Sequence, residues 1–461
     1  MSVMGMFQFG YNTTVINAPD GLIKAFFNES HLNRYGTPMP EATIDILWSV
    51  AVAITAVGGC IGGLLGAEWA NRLGRKRGMF FNTFSGLVAA LLMSLSKPAH
   101  SYEMLIIGRL VIGFHCGLYT GLVPVYNAEV SPPSIRGSVG TINQLAVTLG
   151  LLIAQVLGLQ DTLGTAELWP VLLGLAAFAP VVQIIGLSFC PESPRYLLLS
   201  MQEEVAAVQS LKDLRCGSDV QAELTEMYKE QQSNSDLDEH KVGVLGLLKD
   251  PSLRMPLLVA VVMHLSQQLS GINCIFYYSS ALFERIGLSV VDANYASLAV
   301  GGIMVVMTIV SIPLMDRAGR RALHLVGLAG MFFSSIVFTV CFNVAVKATE
   351  KNRTLEVTSI VFALMIVVFF AIGPGSIPWM IVAELFSQGP RTSAVAVGVV
   401  VNWLSNFAVG ISFISLLNAT GELVFVPFTC FLFVFFVFLW CFLPETKGKT
   451  FEEISALFNK H

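Results

Sequence analysis

Long apolar runs separated by short polar loops form most of this chain. The hydrocarbon core of a bilayer is about 30 Å thick and is crossed by a helix of roughly 20 apolar residues. Runs of about this length occur at 1–19, 46–67, 79–96, 104–127, 139–160, 169–190, 256–283, 294–315, 323–346, 357–383, 393–417 and 424–443. The pattern predicts an all-α membrane protein with twelve transmembrane helices.

The apolar runs fall into two groups of six, separated by a polar segment at 191–255. This segment carries seven Lys/Arg and twelve Asp/Glu, and its apolar residues recur at helical spacing in 203–214 and 220–230. Such a pattern is typical of short amphipathic helices outside the membrane. We therefore predict an N-terminal six-helix half at 1–190, a cytosolic helical linker at 191–255, a C-terminal six-helix half at 256–443 and a cytosolic tail at 444–461.

Charged motifs recur in the two halves at nearly constant offsets. Each motif follows an apolar run, and the pairs are Arg72-Leu-Gly-Arg-Lys76 with Arg317-Ala-Gly-Arg-Arg321, Ala128-Glu129 and Arg136 with Ala383-Glu384 and Arg391, and Pro191-Glu192 with Pro444-Glu445. Internal repeats of this kind mark transporter folds built from duplicated units. The repeat predicts two pseudo-symmetric halves in the same orientation.

The overall composition favours a membrane protein and excludes several function classes. Hydrophobic residues make up 54% of the chain and charged residues 13%, against about 25% charged residues in soluble proteins. A net charge of −4 does not suggest a nucleic-acid partner. The eight cysteines are scattered, and the chain has no HExxH, GxSxG or P-loop motif. We expect no metal site, no cofactor, no catalytic residues and no enzyme activity.

The distribution of basic residues predicts the orientation. Nineteen of the 27 Lys/Arg lie in alternate loops that include the 191–255 linker, and basic residues favour the cytosolic side. Both termini are then cytosolic, and the glycosylation sequons at Asn28 and Asn352 lie on the outer side. Residues 1–19 carry no charge and no signal-cleavage site, so we interpret them as a first membrane helix.

Three longer motifs carry a family resemblance: Gln267-Gln-Leu-Ser-Gly-Ile-Asn273, Gly373-Pro-Gly-Ser-Ile-Pro-Trp379 and Pro444-Glu-Thr-Lys-Gly448. They resemble the sugar porter family of the major facilitator superfamily, and within it the type 1-like facilitative glucose transporters. The stretch from Ala371 to Met380 resembles insect forms. The resemblance covers essentially the whole chain. It implies the major facilitator fold and a D-glucose uniporter of the plasma membrane that works by alternating access.

Amide side chains inside the apolar runs are the candidate sugar ligands. A hexose hydroxyl both donates and accepts hydrogen bonds, and an amide offers both functions without a buried charge. The chemistry and clustering favour Gln144, Gln267, Gln268, Asn273 and Asn402. The alternative is that these amides only join helices. The resemblance supports the site and adds Trp379 and Asn406 to it.

Two features of the C-terminal half affect this interpretation. Gln268 and Asn273 can face one site only if the helix opens near Ser270-Gly271. The chain also departs from the usual family pattern at His264, Met304 and Ala371. Some of these substitutions resemble fructose-accepting relatives, so fructose stays open as a second substrate.

A second break is expected where Gly373, Pro374, Gly375 and Pro378 interrupt one apolar run. Each proline removes a backbone hydrogen bond. The segment is then either a hinge over the site or a static kink. The resemblance implies that Tyr277 and Tyr278 close the site on the outer side.

Duplicated charges at the cytosolic helix ends suggest a gate. They form either an ion-pair lock between the halves or contacts with lipid headgroups. The residues are Arg72, Glu129, Arg136, Asp316, Arg317, Arg320, Glu384 and Arg391.

No Asp or Glu lies in the twelve apolar runs. Proton-coupled carriers usually need such a group, and proton-linked relatives tend to have Asp at the position of Asn12. The sequence therefore predicts a uniporter that binds a small sugar in the lipid bilayer, with its oligomeric state unknown. A proton–sugar symporter that uses His115 or His264, and a sugar sensor, are the alternatives.

Overall fold

The structure is a computed structural model that describes residues 1–132, 136–215, 220–221, 223–228, 244–347, 352–386, 388–447, 449 and 451–458. The N-terminal half contains α1 (Met4–Thr14), α2 (Asp20–Tyr35), α3 (Glu41–Leu73), α4 (Arg75–Leu95), α5 (Tyr102–Val130), α6 (Arg136–Leu157), α7 (Trp169–Gly174) and α8 (Phe178–Ser188). A 3-10 turn at Leu175–Ala177 joins α7 to α8.

Three short helices, α9 (Pro194–Leu199), α10 (Glu204–Leu214) and α11 (Val244–Lys249), lie between the halves in sequence. The C-terminal half contains α12 (Pro251–Gln268), α13 (Ile272–Ile286), α14 (Val290–Ala318), α15 (Arg320–Lys347), α16 (Arg353–Ile372), α17 (Ile377–Leu385), α18 (Gln388–Thr420) and α19 (Val426–Phe442). The last helix is α20 (Phe451–Phe458).

Every predicted apolar run overlaps a helix or a pair of consecutive helices, which confirms the all-α membrane fold. Nine spans within the described parts of the chain are long and apolar enough to cross a membrane. The apolar part of α6 and the whole of α19 are shorter, and α1 has eleven residues. The first helix therefore ends before the predicted run 1–19 does. It is followed by α2, a helix that was not predicted.

Two ends of the bundle can be distinguished. We call the end where α4 and α15 begin, with Arg75 and Arg320, the arginine-rich end. At the opposite end three hydrogen bonds connect the two halves. They are Asn17 Nδ2 to Ser279 Oγ at 2.8 Å, Tyr295 Oη to Asp161 Oδ2 at 3.0 Å and Asn418 Nδ2 to Asp45 Oδ2 at 3.1 Å. These bonds hold the halves together at the opposite end.

Small residues let α3 of the N-terminal half approach α18 of the C-terminal half. A Cβ atom added at Gly59 would lie 2.6 Å from the ring of Trp403, and one at Gly63 would lie 2.7 Å from Val399. Glycine is therefore required for this close packing, as is common where membrane helices meet. The contact brings Trp403 to the boundary between the halves.

Candidate functional site

A cavity with a volume of about 380 Å³ lies between the two halves. It reaches Ala128 in the last turn of α5 and Met315 in the last turn of α14, so it extends toward the arginine-rich end. Trp379, on its wall, is 37% exposed although it lies within a membrane-spanning segment. The cavity therefore extends toward the arginine-rich end, while hydrogen bonds join the halves at the opposite end.

The C-terminal half brings its predicted amides together in one hydrogen-bonded group, which we call the amide cluster: Gln267, Gln268, Asn273, Asn402 and Asn406. Gln268 donates to Gln267 Oε1 at 3.2 Å and to Asn402 Oδ1 at 3.0 Å. Its own Oε1 accepts from Asn273 and, at 3.1 Å, from Asn406. Asn402 also donates to Gln267 Oε1 at 2.6 Å. A sugar hydroxyl could replace one amide partner in any of these hydrogen bonds, because a hydroxyl both donates and accepts.

The cluster depends on the break between α12 and α13. α12 ends at Gln268, and Gly271 adopts φ +84°, in the left-handed region that favours glycine. A new helix begins at Ile272, so Asn273 turns back toward Gln268. The structure thus shows the opening that the sequence analysis required near Ser270 and Gly271.

A second break fixes Gln267 in place. α16 ends at Ile372 and α17 begins at Ile377, and the carbonyl of Pro374 has no helical partner because Pro378, four residues on, lacks an N–H. Gln267 Nε2 donates to this carbonyl and to that of Gly375, each at 2.8 Å. Pro378 lies in the first turn of α17, where a missing N–H costs little. The segment is irregular as expected, and its function as a hinge stays a prediction.

Trp379 and His264 connect the amide cluster to the cavity. The two rings meet edge to face with centroids 5.0 Å apart, and His264 Nδ1 lies 3.1 Å from Asn402 Nδ2. Trp379 and Gly375 line the cavity directly, as does Ala371. His264 therefore contacts two predicted sugar ligands. Met304, another departure from the family pattern, is buried, with 3% of its surface exposed.

The N-terminal half contributes a different wall. Gln144 lines the cavity, and its role as a sugar ligand stays a prediction. Asn143 and Asn127 line it too, joined by a hydrogen bond of 2.7 Å from Asn127 Nδ2 to Asn143 Oδ1. Neither was predicted from the sequence, although both are amides in apolar runs, which was the signal that identified the others. Hydroxyl residues that were not predicted also line the cavity, Thr120 from the N-terminal half and Thr308, Ser311 and Ser376 from the C-terminal half.

The two tyrosines predicted to close the site occupy different positions. Tyr277 donates from its hydroxyl to Asn406 Oδ1 at 3.0 Å, so it extends the amide cluster away from the large cavity. Tyr278 donates to the Gly410 carbonyl at 3.0 Å and stacks on Phe413. Tyr278 is thus bound to α18 of its own half, and closure of the site by either residue stays a prediction.

The predicted lock residues form pairs within each half. Glu129 Oε1 contacts Arg75 Nη2 at 2.8 Å, and Glu384 Oε1 contacts Arg320 Nε at 3.4 Å. The second oxygen of Glu129 is buried without a partner among the described residues. Arg75 was not among the predicted lock residues. The structure therefore pairs the two glutamates with equivalent arginines, of which only Arg320 was among the predicted charges.

The remaining predicted lock residues take no part in these two ion pairs. Arg72 pairs with Glu68 at an exposed position, and Arg391 donates from Nε to the Phe386 carbonyl at 3.1 Å. Arg317 is exposed. The side chains of Arg136 and Asp316 lie outside the described part of the structure. The lock between the halves stays a prediction.

The two sequons differ in accessibility. Asn28 is partly buried, and its Oδ1 accepts from the Met39 backbone N–H at 2.8 Å. Asn352 is exposed at the start of α16, where its Oδ1 accepts from the Thr354 N–H at 3.1 Å. Asn352 is the more accessible acceptor, and glycosylation at both stays a prediction.

The sequence matches relatives of known class along its whole length. The family model "Sugar (and other) transporter" matches residues 1–458. The chain is 46% identical over 459 residues to "Solute carrier family 2, facilitated glucose transporter member 1" of Gallus gallus, covering 100% of this chain and 92% of the relative. It is also 46% identical to member 4 of Homo sapiens, covering 100% and 89% of the two chains.

Solved structures share the fold. The partially occluded inward open conformation of the xylose transporter XylE from E. coli matches with a TM-score of 0.80 and 23% identity, covering 97% of this chain and 98% of that chain. Its inward open conformation matches with a TM-score of 0.79 and 24% identity over 99% and 98% of the two chains. These likenesses confirm the twelve-helix major facilitator fold. By its sequence along the whole chain, this multi-pass membrane protein belongs to the sugar transporter family.

Proposed function

We propose that this protein is a facilitative hexose uniporter that carries D-glucose across the plasma membrane by alternating access. The observation that carries the proposal is the amide cluster, joined to a cavity of about 380 Å³ between the halves. Neutral amides and hydroxyls suit a neutral polyol, because they exchange hydrogen bonds without burying an uncompensated charge. The relatives' names, facilitated glucose transporters, support the same substrate class.

The direction of opening supports alternating access. The opposite end is closed by Asn17–Ser279 and two further hydrogen bonds between the halves, while the cavity extends to the arginine-rich end. The basic-residue distribution assigns that end to the cytosol. On this assignment the structure corresponds to an inward-facing state with both termini in the cytosol. The outward-facing state would form by separation of the halves at the opposite end.

Passive transport distinguishes this proposal from proton symport. No apolar run of the sequence contains a carboxylate, and Asn12 binds the backbone of its own helix through Nδ2, at 2.9 Å from the Gln8 carbonyl. Amide groups do not titrate, so sugar movement has no built-in link to a proton gradient at this position.

The test is uptake of labelled sugars into proteoliposomes that contain the purified protein. Glucose should enter until its concentrations inside and outside are equal, and an imposed pH gradient should not alter that end point. Liposomes without protein and an excess of unlabelled glucose provide the controls. Accumulation above equilibrium that a protonophore abolishes would contradict the uniport mechanism, and absence of any sugar uptake by folded protein would favour a sensor. Fructose in the same assay decides whether it is a second substrate.

A further inference from the structure

Gln155 is buried at the boundary between the two halves without a hydrogen-bond partner among the described residues. It lies near the end of α6 and is 4% exposed. Both its Oε1 and its Nε2 are buried, and neither makes a hydrogen bond to any described atom. Its Oε1 lies against Gly301 on α14 of the C-terminal half, because a Cβ added at Gly301 would be 2.1 Å from this atom. The amide therefore faces the opposite half without being bonded to it.

An unpaired amide is unfavourable at this interface. The group loses its hydrogen bonds to water on burial and gains none in return. An amide that only joins helices would have a partner across the interface, and Gln155 has none among the described residues. A methionine would fill nearly the same space without this cost. The amide is therefore better explained by a second state of the protein, in which a polar partner reaches it.

The position of Gln155 continues the wall of the cavity toward the end opposite the arginine-rich end. Gln155 follows Gln144, which lines the cavity, by eleven residues on α6. This spacing is close to three helical turns, so both side chains lie on the same helix face. On α14, Gly301 lies two turns before Thr308 of the cavity wall and one turn after Ser297. The facing rows on α6 and α14 thus run beyond the cavity.

Hydroxyl and amide groups lie at the outer part of this interface. Ser297 Oγ donates to Ser279 Oγ at 2.8 Å, and Ser279 also accepts from Asn17 Nδ2 of the N-terminal half at 2.8 Å. All three residues are buried. Asn17 follows α1, which is joined to α6 by a hydrogen bond of 3.1 Å from Thr14 Oγ1 to the Leu151 carbonyl. Opening of this end would break the Asn17–Ser279 bond and expose these groups together with Gln155.

We propose that Gln155 contacts a hydroxyl of the hexose in the outward-facing state, at an outer position on the route to the amide cluster. Separation of the halves would expose the amides of Gln155 and Asn17 on one side and the hydroxyls of Ser279 and Ser297 on the other. Neutral groups that both donate and accept suit a neutral polyol. Gly301 has no side chain and leaves the Gln155 amide uncovered once the halves part. This inference rests on the proposed transport function.

The test compares D-glucose with its monodeoxy analogues in uptake by proteoliposomes that contain wild-type or Gln155→Met protein. Methionine keeps the shape of glutamine and lacks the amide. The half-saturating concentration of glucose should rise about fivefold or more, because one hydrogen bond to the sugar is lost. It should rise equally for each analogue that keeps the contacted hydroxyl. For at least one analogue, which lacks that hydroxyl, the rise should be at least fivefold smaller.

A change in conformational equilibrium gives a different pattern. It alters the fraction of binding-competent protein and therefore changes the half-saturating concentration of every sugar by one common factor. A common factor for glucose and all analogues, or no change for any of them, would overturn the proposed contact. Absence of uptake by wild-type protein would instead overturn the proposed transport function, and the inference with it.

Asn343→Leu is the matched control. Asn343 on α15 also has a buried side-chain oxygen without a partner among the described atoms, but α15 packs mainly on helices of its own half. This variant should leave the ratios between the sugars as in the wild type. Gln155→Met should melt at the wild-type temperature or above it, since it removes a buried unpaired group. A protein that does not fold, or that melts at a clearly lower temperature, would show that the amide is bonded in the closed state and would overturn the proposal.

Discussion

The N-terminal and C-terminal halves are nearly equivalent at the arginine-rich end. Glu192 accepts hydrogen bonds from the backbone N–H groups of Arg75 and Lys76 at the start of α4. Glu445 does the same for Arg320 and Arg321 at the start of α15. In both cases the preceding glycine has φ +88°. A carboxylate at a helix N-terminus accepts hydrogen bonds from the free backbone N–H groups of the first turn and interacts favourably with the helix dipole. Both halves therefore stabilise this helix end in the same way.

The interiors of the two halves differ. The C-terminal half assembles the amide cluster beside the large cavity. The polar groups of the N-terminal half are mostly bound to its own helices. His115 Nε2 lies 2.9 Å from Gln8 Oε1, and Gln183 accepts from the Tyr119 hydroxyl at 2.9 Å. The duplicated framework is therefore retained where helix ends must be fixed, and the halves diverge where a ligand is expected to bind.

The largest effect should follow removal of the matching caps. Glu192→Ala and Glu445→Ala each delete a charged acceptor of at least two backbone N–H groups. Hydrogen bonds to charged groups contribute about 1.5–3 kcal/mol. Both variants should therefore lower the apparent melting temperature by similar amounts. Glu68→Ala, an exposed acid at the same end, should change it little. A large fall in only one cap variant would show that the halves are not equivalent there.

The second-largest effect is expected for a change in the amide cluster. Gln268→Ala removes a side chain that donates to Gln267 and Asn402 and accepts from Asn406. A lost hydrogen bond to sugar costs about 1–3 kcal/mol, or roughly five- to 150-fold in affinity. The half-saturating glucose concentration for uptake should rise accordingly. Asn343→Ala, in α15 and away from the cavity, is the control. An unchanged concentration dependence in folded Gln268→Ala protein would remove this residue from the site.

A smaller effect is expected for the polar interior of the N-terminal half. Gln8 donates to the Ala176 carbonyl at 2.8 Å and contacts His115. Gln8→Leu should cost about 0.5–1.5 kcal/mol of stability for each lost hydrogen bond. Thermal unfolding should detect this loss, while the half-saturating glucose concentration stays as in the wild type. A changed glucose dependence with normal stability would mean that the N-terminal interior also serves the ligand.

The smallest effect tests the ion-pair lock. Exposed ion pairs contribute about 1 kcal/mol or less, which corresponds to roughly fivefold in a two-state population. Arg391→Ala should enrich the form that is open at the arginine-rich end, measured as greater labelling of a cysteine placed in the cavity mouth. Arg321→Ala is the control, because Arg321 contacts the Trp440 carbonyl and ring outside the proposed lock. Equal labelling of Arg391→Ala and wild-type protein would support headgroup anchorage instead.

The sequence by itself determined the membrane class, most of the membrane helices and the duplicated charged motifs, because hydrocarbon thickness and backbone hydrogen bonding impose long apolar runs. It also identified the amides of the cluster, since a polar group in such a run needs a partner or a function. Both helix breaks followed from glycine and proline in the runs.

Only the tertiary structure decided which of these groups meet. Glu129 and Glu384 pair with Arg75 and Arg320, more than 50 residues away in sequence, because the folded helix ends bring them together. Asn127 and Asn143 join the cavity wall through the packing of α5 against α6. Periodicity and composition predict which residues of a helix are buried. The hydrogen-bond partner of a buried polar atom depends on how distant helices pack against one another.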